Sequence, residues 1–141
     1  MGHLIQLGEF AILNSKLDSL NGEIRSTRVV YKKATGNSSI SIDSMSAMFI
    51  RCGRVVKCVV QGYLAHATDS TSWDTTLSPV NAVDPYFTPT DTNSSHYDSV
   101  LIGSYYHMTA ECGINPDGSI YLHNGSGKDK NWITIIFIYF K

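Results

Sequence analysis

The chain has 141 residues, of which 43% are hydrophobic and 16% charged, with a net charge of −1. That length fits a single unit whose core can fold without metals or disulfides. The charge balance excludes the basic footprint expected of a nucleic-acid binder or of a protein drawn to anionic membranes.

The chain opens with its only helical pattern, predicted over residues 4–25. Phe10, Leu13, Leu17, Leu20 and Ile24 recur at alternating intervals of three and four, the seam of a coiled coil. The residues between them are mostly polar: Asn14, Ser15, Lys16, Asp18, Ser19, Asn21 and Glu23. Two heptads are too short to hold a helix alone in water. Such a helix must pack on its own head or join copies of itself in a parallel bundle, and the narrow apolar stripe favours the bundle. The expected organisation is therefore a stalk over 1–25 and a head over 26–141.

From residue 26 the periodicity changes from helical to period two. Strands are predicted over 27–33, 38–43, 47–52, 55–65, 99–110, 118–123 and 131–140. Gly36-Asn37, Cys52-Gly53, Asn124-Gly125 and above all Asn115-Pro116-Asp117-Gly118 supply the turns. The expected fold class is all-β, an antiparallel sandwich or jelly-roll head preceded by the short coiled-coil helix. In a hairpin turning at Gly53, Cys52 faces residues 53–55 and Cys58 faces 47–49, so these two do not bridge. With Cys112 the thiol count is odd, and all three are read as reduced core or partly buried thiols. The run 131–140 is apolar on both faces, so it needs two covers. One is the head's own core; the second is either more of that core or a neighbouring subunit.

Residues 67–98 form a long polar stretch with five aspartates and no Lys or Arg. Its aromatic rings beside short polar side chains suit a saccharide, whose apolar ring face stacks while carboxylates and amides bond its hydroxyls. Trp73, Tyr86, His96, Tyr97 and Asp91 are the candidate binding residues. The same aromatics could instead anchor the loop to the head. The aspartate spacing matches no calcium loop, and no Cys/His spacing suits zinc, so no metal is expected. No GxSxG, HExxH, P-loop or GxGxxG pattern occurs, and a dyad of His107 with Glu111 or Asp117 has no local support. The chain is read as a binder without cofactor, not an enzyme. No apolar run reaches membrane-spanning length, and the N-terminus lacks the basic and apolar regions of a signal peptide. Together with the Ser, Thr, Asn and Gly richness typical of β-rich extracellular or virion proteins, this fits release by host lysis.

The run 48–62, MFIRCGRVVKCVVQG, resembles the strand–turn–strand opening of head domains in tail-fibre and receptor-binding proteins of tailed bacteriophages. The ending is similar too, with INPDGSIYL over 114–122 and a closing strand over 132–139, as is the fibre-like segment 13–20. A stretch of PxGYRP type often follows the second strand in such heads, and residues 78–85 replace it here, so no binding residue is carried over. The resemblance implies a homotrimer that attaches to a bacterial surface glycan, and an N-terminal stalk that meets other tail or baseplate proteins. It places the protein in a virion tail, outside cells after lysis. The alternative is a structural baseplate or fibre connector that binds other virion proteins.

Overall fold

The computed structural model describes residues 8, 9, 11–13, 24–36, 40–66, 73–90, 99, 100, 102, 103, 109–126 and 129–141. The expected all-β class is what the chain adopts. Nine strands follow one another: β1 (Ile24–Gly36), β2 (Ile40–Cys52), β3 (Val55–His66), β4 (Trp73–Pro79), β5 (Ser99–Val100), β6 (Ile102–Gly103), β7 (Thr109–Ile114), β8 (Ile120–Ser126) and β9 (Asp129–Phe140). Every pairing between them is antiparallel.

The strands make two sheets joined at both edges. The first half of β1 pairs with β2, with Ile24 opposite Cys52 and Val30 opposite Ser46. Its second half pairs with β4, with Tyr31 opposite Pro79 and Gly36 opposite Thr75. One strand thus passes from the sheet β1-β2-β3-β9 to the sheet β1-β4-β8-β7. At the opposite side β5 pairs with β7 while β6, one residue further on, pairs with β9. The order β5-β7-β8-β4-β1-β2-β3-β9-β6 therefore nearly closes on itself. Near-closure shortens the free edges, which among the described residues belong to the two-residue strands β5 and β6 and to the parts of β7 and β9 that they do not reach.

Alternation fills the space between the sheets. Ile133, Ile135, Phe137 and Tyr139 of β9 point inward and have no exposed surface, as do Val56, Cys58, Val60 and Leu64 of β3. Phe49, Met45, Trp73, Leu77, Ile114, Ile120 and Leu122 complete the core. The residues between them on β9 point outward, so the doubly apolar strand is covered by the core on one face only.

Several boundaries differ from the sequence expectation. The head begins at Ile24, so the last seam position of the predicted helix is instead the first residue of β1. Helical backbone is present at 8, 9 and 11–13. Leu13 is exposed there, while Phe10, Leu17 and Leu20 lie outside the described residues. The two strands expected over 38–52 are one, β2, whose register slips between Asp43 and Ser46; Ser44 takes a positive φ of 54° inside this bulge. The strand expected over 99–110 is not continuous: β5 and β6 diverge to different partners, and β7 starts at Thr109. The polar stretch 67–98 contains β4, whose Trp73, Thr75 and Leu77 are buried in strict alternation. The Pro-Asp-Gly turn forms as expected. Gly118 has φ 83°, its N–H donates to the Asn115 carbonyl at 2.8 Å, and Asp117 accepts from the Ser119 N–H and hydroxyl.

Candidate functional site

The two sheets differ in what they show to solvent. On the first sheet the register stacks outward residues into rows, because directly paired residues of antiparallel strands share a face. Ile24, Cys52, Val55 and Phe140 form one row; Ser26, Ile50, Lys57 and Ile138 the next; Arg28, Met48, Val59 and Ile136 the third. Val30, Ser46, Gln61 and Thr134 follow, and Tyr63 with Trp132 close the array. Every large exposed hydrophobic among the described residues, apart from Ile12, Leu13 and Val80, lies on this one face. Phe140 is 70% exposed and Ile138 55%. Tyr63 and Trp132 meet edge to face with centroids 5.0 Å apart. Lys57 and Arg28 are the charged residues in the array, and Arg28 donates to Ser46 within it at 3.4 Å.

The second sheet presents polar groups outward. A shallow groove of about 280 Å³ runs across the ends of β1, β4 and β8, lined by Gly36, Asp74, Thr75, Thr76, Tyr121, Leu122 and His123. Asp74 and Thr76 leave β4 on its outer side, alternating with buried Trp73, Thr75 and Leu77. Tyr121 leaves β8 between buried Ile120 and Leu122, and His123 follows Leu122 on the same outer side. The half-buried Tyr121 ring lies over Gly113 of β7, in the space that a Cβ there would occupy. His123 Nδ1 sits 2.8 Å from Asp74 Oδ1, and the same oxygen accepts the Asn124 N–H at 2.9 Å. Glu111, exposed, is the residue paired with His123 across to β7.

The sequence-predicted binding residues fare differently. Trp73 is 2% exposed and packs over Gly125, whose missing side chain makes room for the indole. It is a core residue, and a sugar cannot stack on it. Tyr86 is half-buried, with the Arg51 guanidinium 4.2 Å and that of Arg25 5.4 Å from its ring centre. Arg51 Nη1 also donates to the Tyr86 carbonyl at 2.8 Å. Two cations and the edge-on ring of Phe87 already occupy Tyr86, so it anchors its segment to the head. Lys141 Nζ holds the same segment through the Pro85 and Thr88 carbonyls, and the Tyr139 hydroxyl donates to that of Phe87. Asp91, His96 and Tyr97 lie outside the described residues.

The cysteines follow the expected hairpin register, with Cys52 opposite Val55 and Cys58 opposite Phe49. All three thiols are free; Cys58 and Cys112 are buried, whereas Cys52 is exposed rather than part of the core. Of the dyad weighed from sequence, Asp117 is engaged by Ser119 and His107 is outside the described residues. Among the described residues no group of three His, Cys, Asp or Glu side chains is placed to hold a metal, and no helix is long and apolar enough to cross a membrane.

The groove residues Asp74, Tyr121 and His123 escaped the sequence reading. Their signal was present as outward positions alternating with apolar ones on β8. For Asp74 it was hidden because β4 was read as loop. No family model, curated protein or solved structure matches the chain.

Proposed function

We propose that the chain is the head of a virion attachment protein, a homotrimer that holds a bacterial cell-surface saccharide without transforming it. The observation that carries the reading is the contrast between the two outer faces. A face of four strands and five residue rows spans roughly 600 Å² from strand and residue spacings. Its first three rows are mainly apolar, with Ser26, Arg28 and Lys57 among them, and apolar patches of a few hundred Å² or more on soluble proteins are often interaction sites. The whole face approaches the ~800 Å² per partner of a stable protein interface. The occupant we assign is a second copy of the chain. The exposed apolar residues Ile12 and Leu13 of the helical segment also want cover, and Ile24, the first residue of β1, stands in the first row of the face. Association would cover both at once and leave the polar sheet outward for the ligand. The stalk would then lead to other tail or baseplate proteins.

The second reading, a baseplate or fibre connector that binds only proteins, is favoured by one observation. Trp73 is in the core and Tyr86 is engaged by arginines, so the polar segment offers neither ring to a sugar. The experiment that separates the two is native mass spectrometry of the whole chain, followed by binding to a panel of bacterial surface polysaccharides. A trimer that retains a polysaccharide is expected. A monomer at micromolar concentration overturns the assembly, and a trimer that binds no polysaccharide leaves the connector.

A further inference from the structure

Resting on that attachment reading, we propose that the groove between β4 and β8 binds a neutral hexopyranose unit, with Tyr121 as its stacking platform and Asp74 and His123 as the hydrogen-bonding partners of its hydroxyls. The ring of Tyr121 is backed by the Gly113 backbone and lines the groove. A platform held from behind loses little side-chain freedom when a sugar's C–H face settles on it. The aromatic ring is thus preorganised in a way that a free surface tyrosine is not.

The polar atoms beside it fix the ligand's chemistry. Asp74 Oδ1 is taken by His123 Nδ1 and the Asn124 N–H. Among the described residues, Asp74 Oδ2 and His123 Nε2 have no protein partner. Asp74 Oδ2 is a carboxylate oxygen and takes only donors, while Nε2 of an imidazole can accept a hydrogen bond from a hydroxyl or donate one to it. Adjacent hydroxyls of a neutral sugar, each both donor and acceptor, suit the two. The carboxylates of Asp74 and of Glu111 on the next strand disfavour a carboxylate, sulfate or phosphate there. Thr76, across from Tyr121 on β4, adds a hydroxyl that can donate or accept.

The test uses the full chain on a printed panel of neutral O-polysaccharides and acidic capsular polysaccharides. Wild type, Asp74→Asn, Tyr121→Ala and Tyr121→Phe are compared by biolayer interferometry. Native mass and thermal midpoint are recorded for each, so that a misfolded variant is recognised. The expected result is retention on at least one neutral polysaccharide. Asp74→Asn and Tyr121→Ala should each weaken it about tenfold or more, the scale on which removal of an anchoring contact is read. Tyr121→Phe, which keeps the ring, should stay near wild type. A wild type that binds while Asp74→Asn and Tyr121→Ala bind equally well overturns this site and leaves the attachment reading standing. Binding to acidic polysaccharides alone overturns the ligand class. No binding at all by a trimeric wild type overturns the attachment reading and this site with it.

Discussion

Burial tunes the ionisation of two core side chains. Cys58 lies wholly inside, between Phe49 and Phe137 in register. Loss of solvation for a thiolate pushes its pKa far above the ordinary thiol value. Tyr31 is raised for the same first reason, with lesser contributions from the neighbouring Cys58, Tyr139 and Asp117, while its hydroxyl donates to the Gly118 carbonyl at 2.7 Å. Both groups hold their protons in the folded state at pH values where the unfolded chain has lost them. Their stabilising contribution is therefore complete below the unfolded pKa and is lost as pH rises. The window opens near pH ~8.5 for the thiol and ~10 for the phenol, the values of the unfolded groups. Each proton then removes about 1.4 kcal/mol per pH unit. Urea midpoints measured under reducing conditions should fall from pH 8.5 upward, and in Cys58→Val the fall between pH 8.5 and 10 should be shallower. A flat profile between pH 8 and 11 would show that these groups are not shielded as described.

At the scale of strands, packing decides what local sequence leaves open. The hairpin at Gly53 was legible because alternation in residues 47–52 and 55–65 fixes its register through the shortest of loops. The resulting pairs of Cys52 with Val55 and Cys58 with Phe49 stand in the structure. β4 was not legible. Its inward Thr75 reads as polar by composition, yet it sits in the core at 3% exposure beside Trp73 and Leu77. Two apolar residues among threonines, serines and aspartates resemble a loop until a neighbouring sheet gives them a face to bury. The passage of β1 between sheets was equally hidden, because periodicity records which face a side chain takes but not which partner lies beside it. The bulge in β2 has a partner that sequence does not reveal. Gly62 of β3 faces the extra residues, and a Cβ at position 62 would stand 2.6 Å from the Met45 Cα. Backbone meets backbone there, so neither side can yield by a rotamer change. Gly62→Ala should cost about 1–3 kcal/mol, the range of overpacked cores. Chemical denaturation should show a lower midpoint with an unchanged denaturant slope. An unaltered midpoint would mean that the bulge relaxes freely.

For the whole molecule, the central question is what covers the outer face of the first sheet. The sequence flagged it through the doubly apolar run 131–140, since alternation could not say whether the second cover was the domain or a neighbour. The structure places Ile136, Ile138 and Phe140 outward with 43%, 55% and 70% exposure. Cys52 stands in the same row as Ile24, Val55 and Phe140, so it reports on this face without any added label. Ile138→Lys places a second ammonium opposite Lys57. Desolvating two like charges at a contact opposes association, while the exposed position leaves the core untouched. The variant should run as a monomer by light scattering at a concentration where the proposed wild-type trimer is assembled, with its far-ultraviolet spectrum unchanged. Alkylation then gives an independent reading. Cys58 and Cys112 are buried in the isolated head and should react only on unfolding. Cys52 should react freely in the Ile138→Lys monomer and about tenfold or more slowly in the wild-type trimer, because thiol reactivity follows access as well as thiolate fraction. Equal rates in the two proteins would place the contact elsewhere, even if the wild type were trimeric. Association would then have to rest on the segment before β1, and the apolar face would await a different protein.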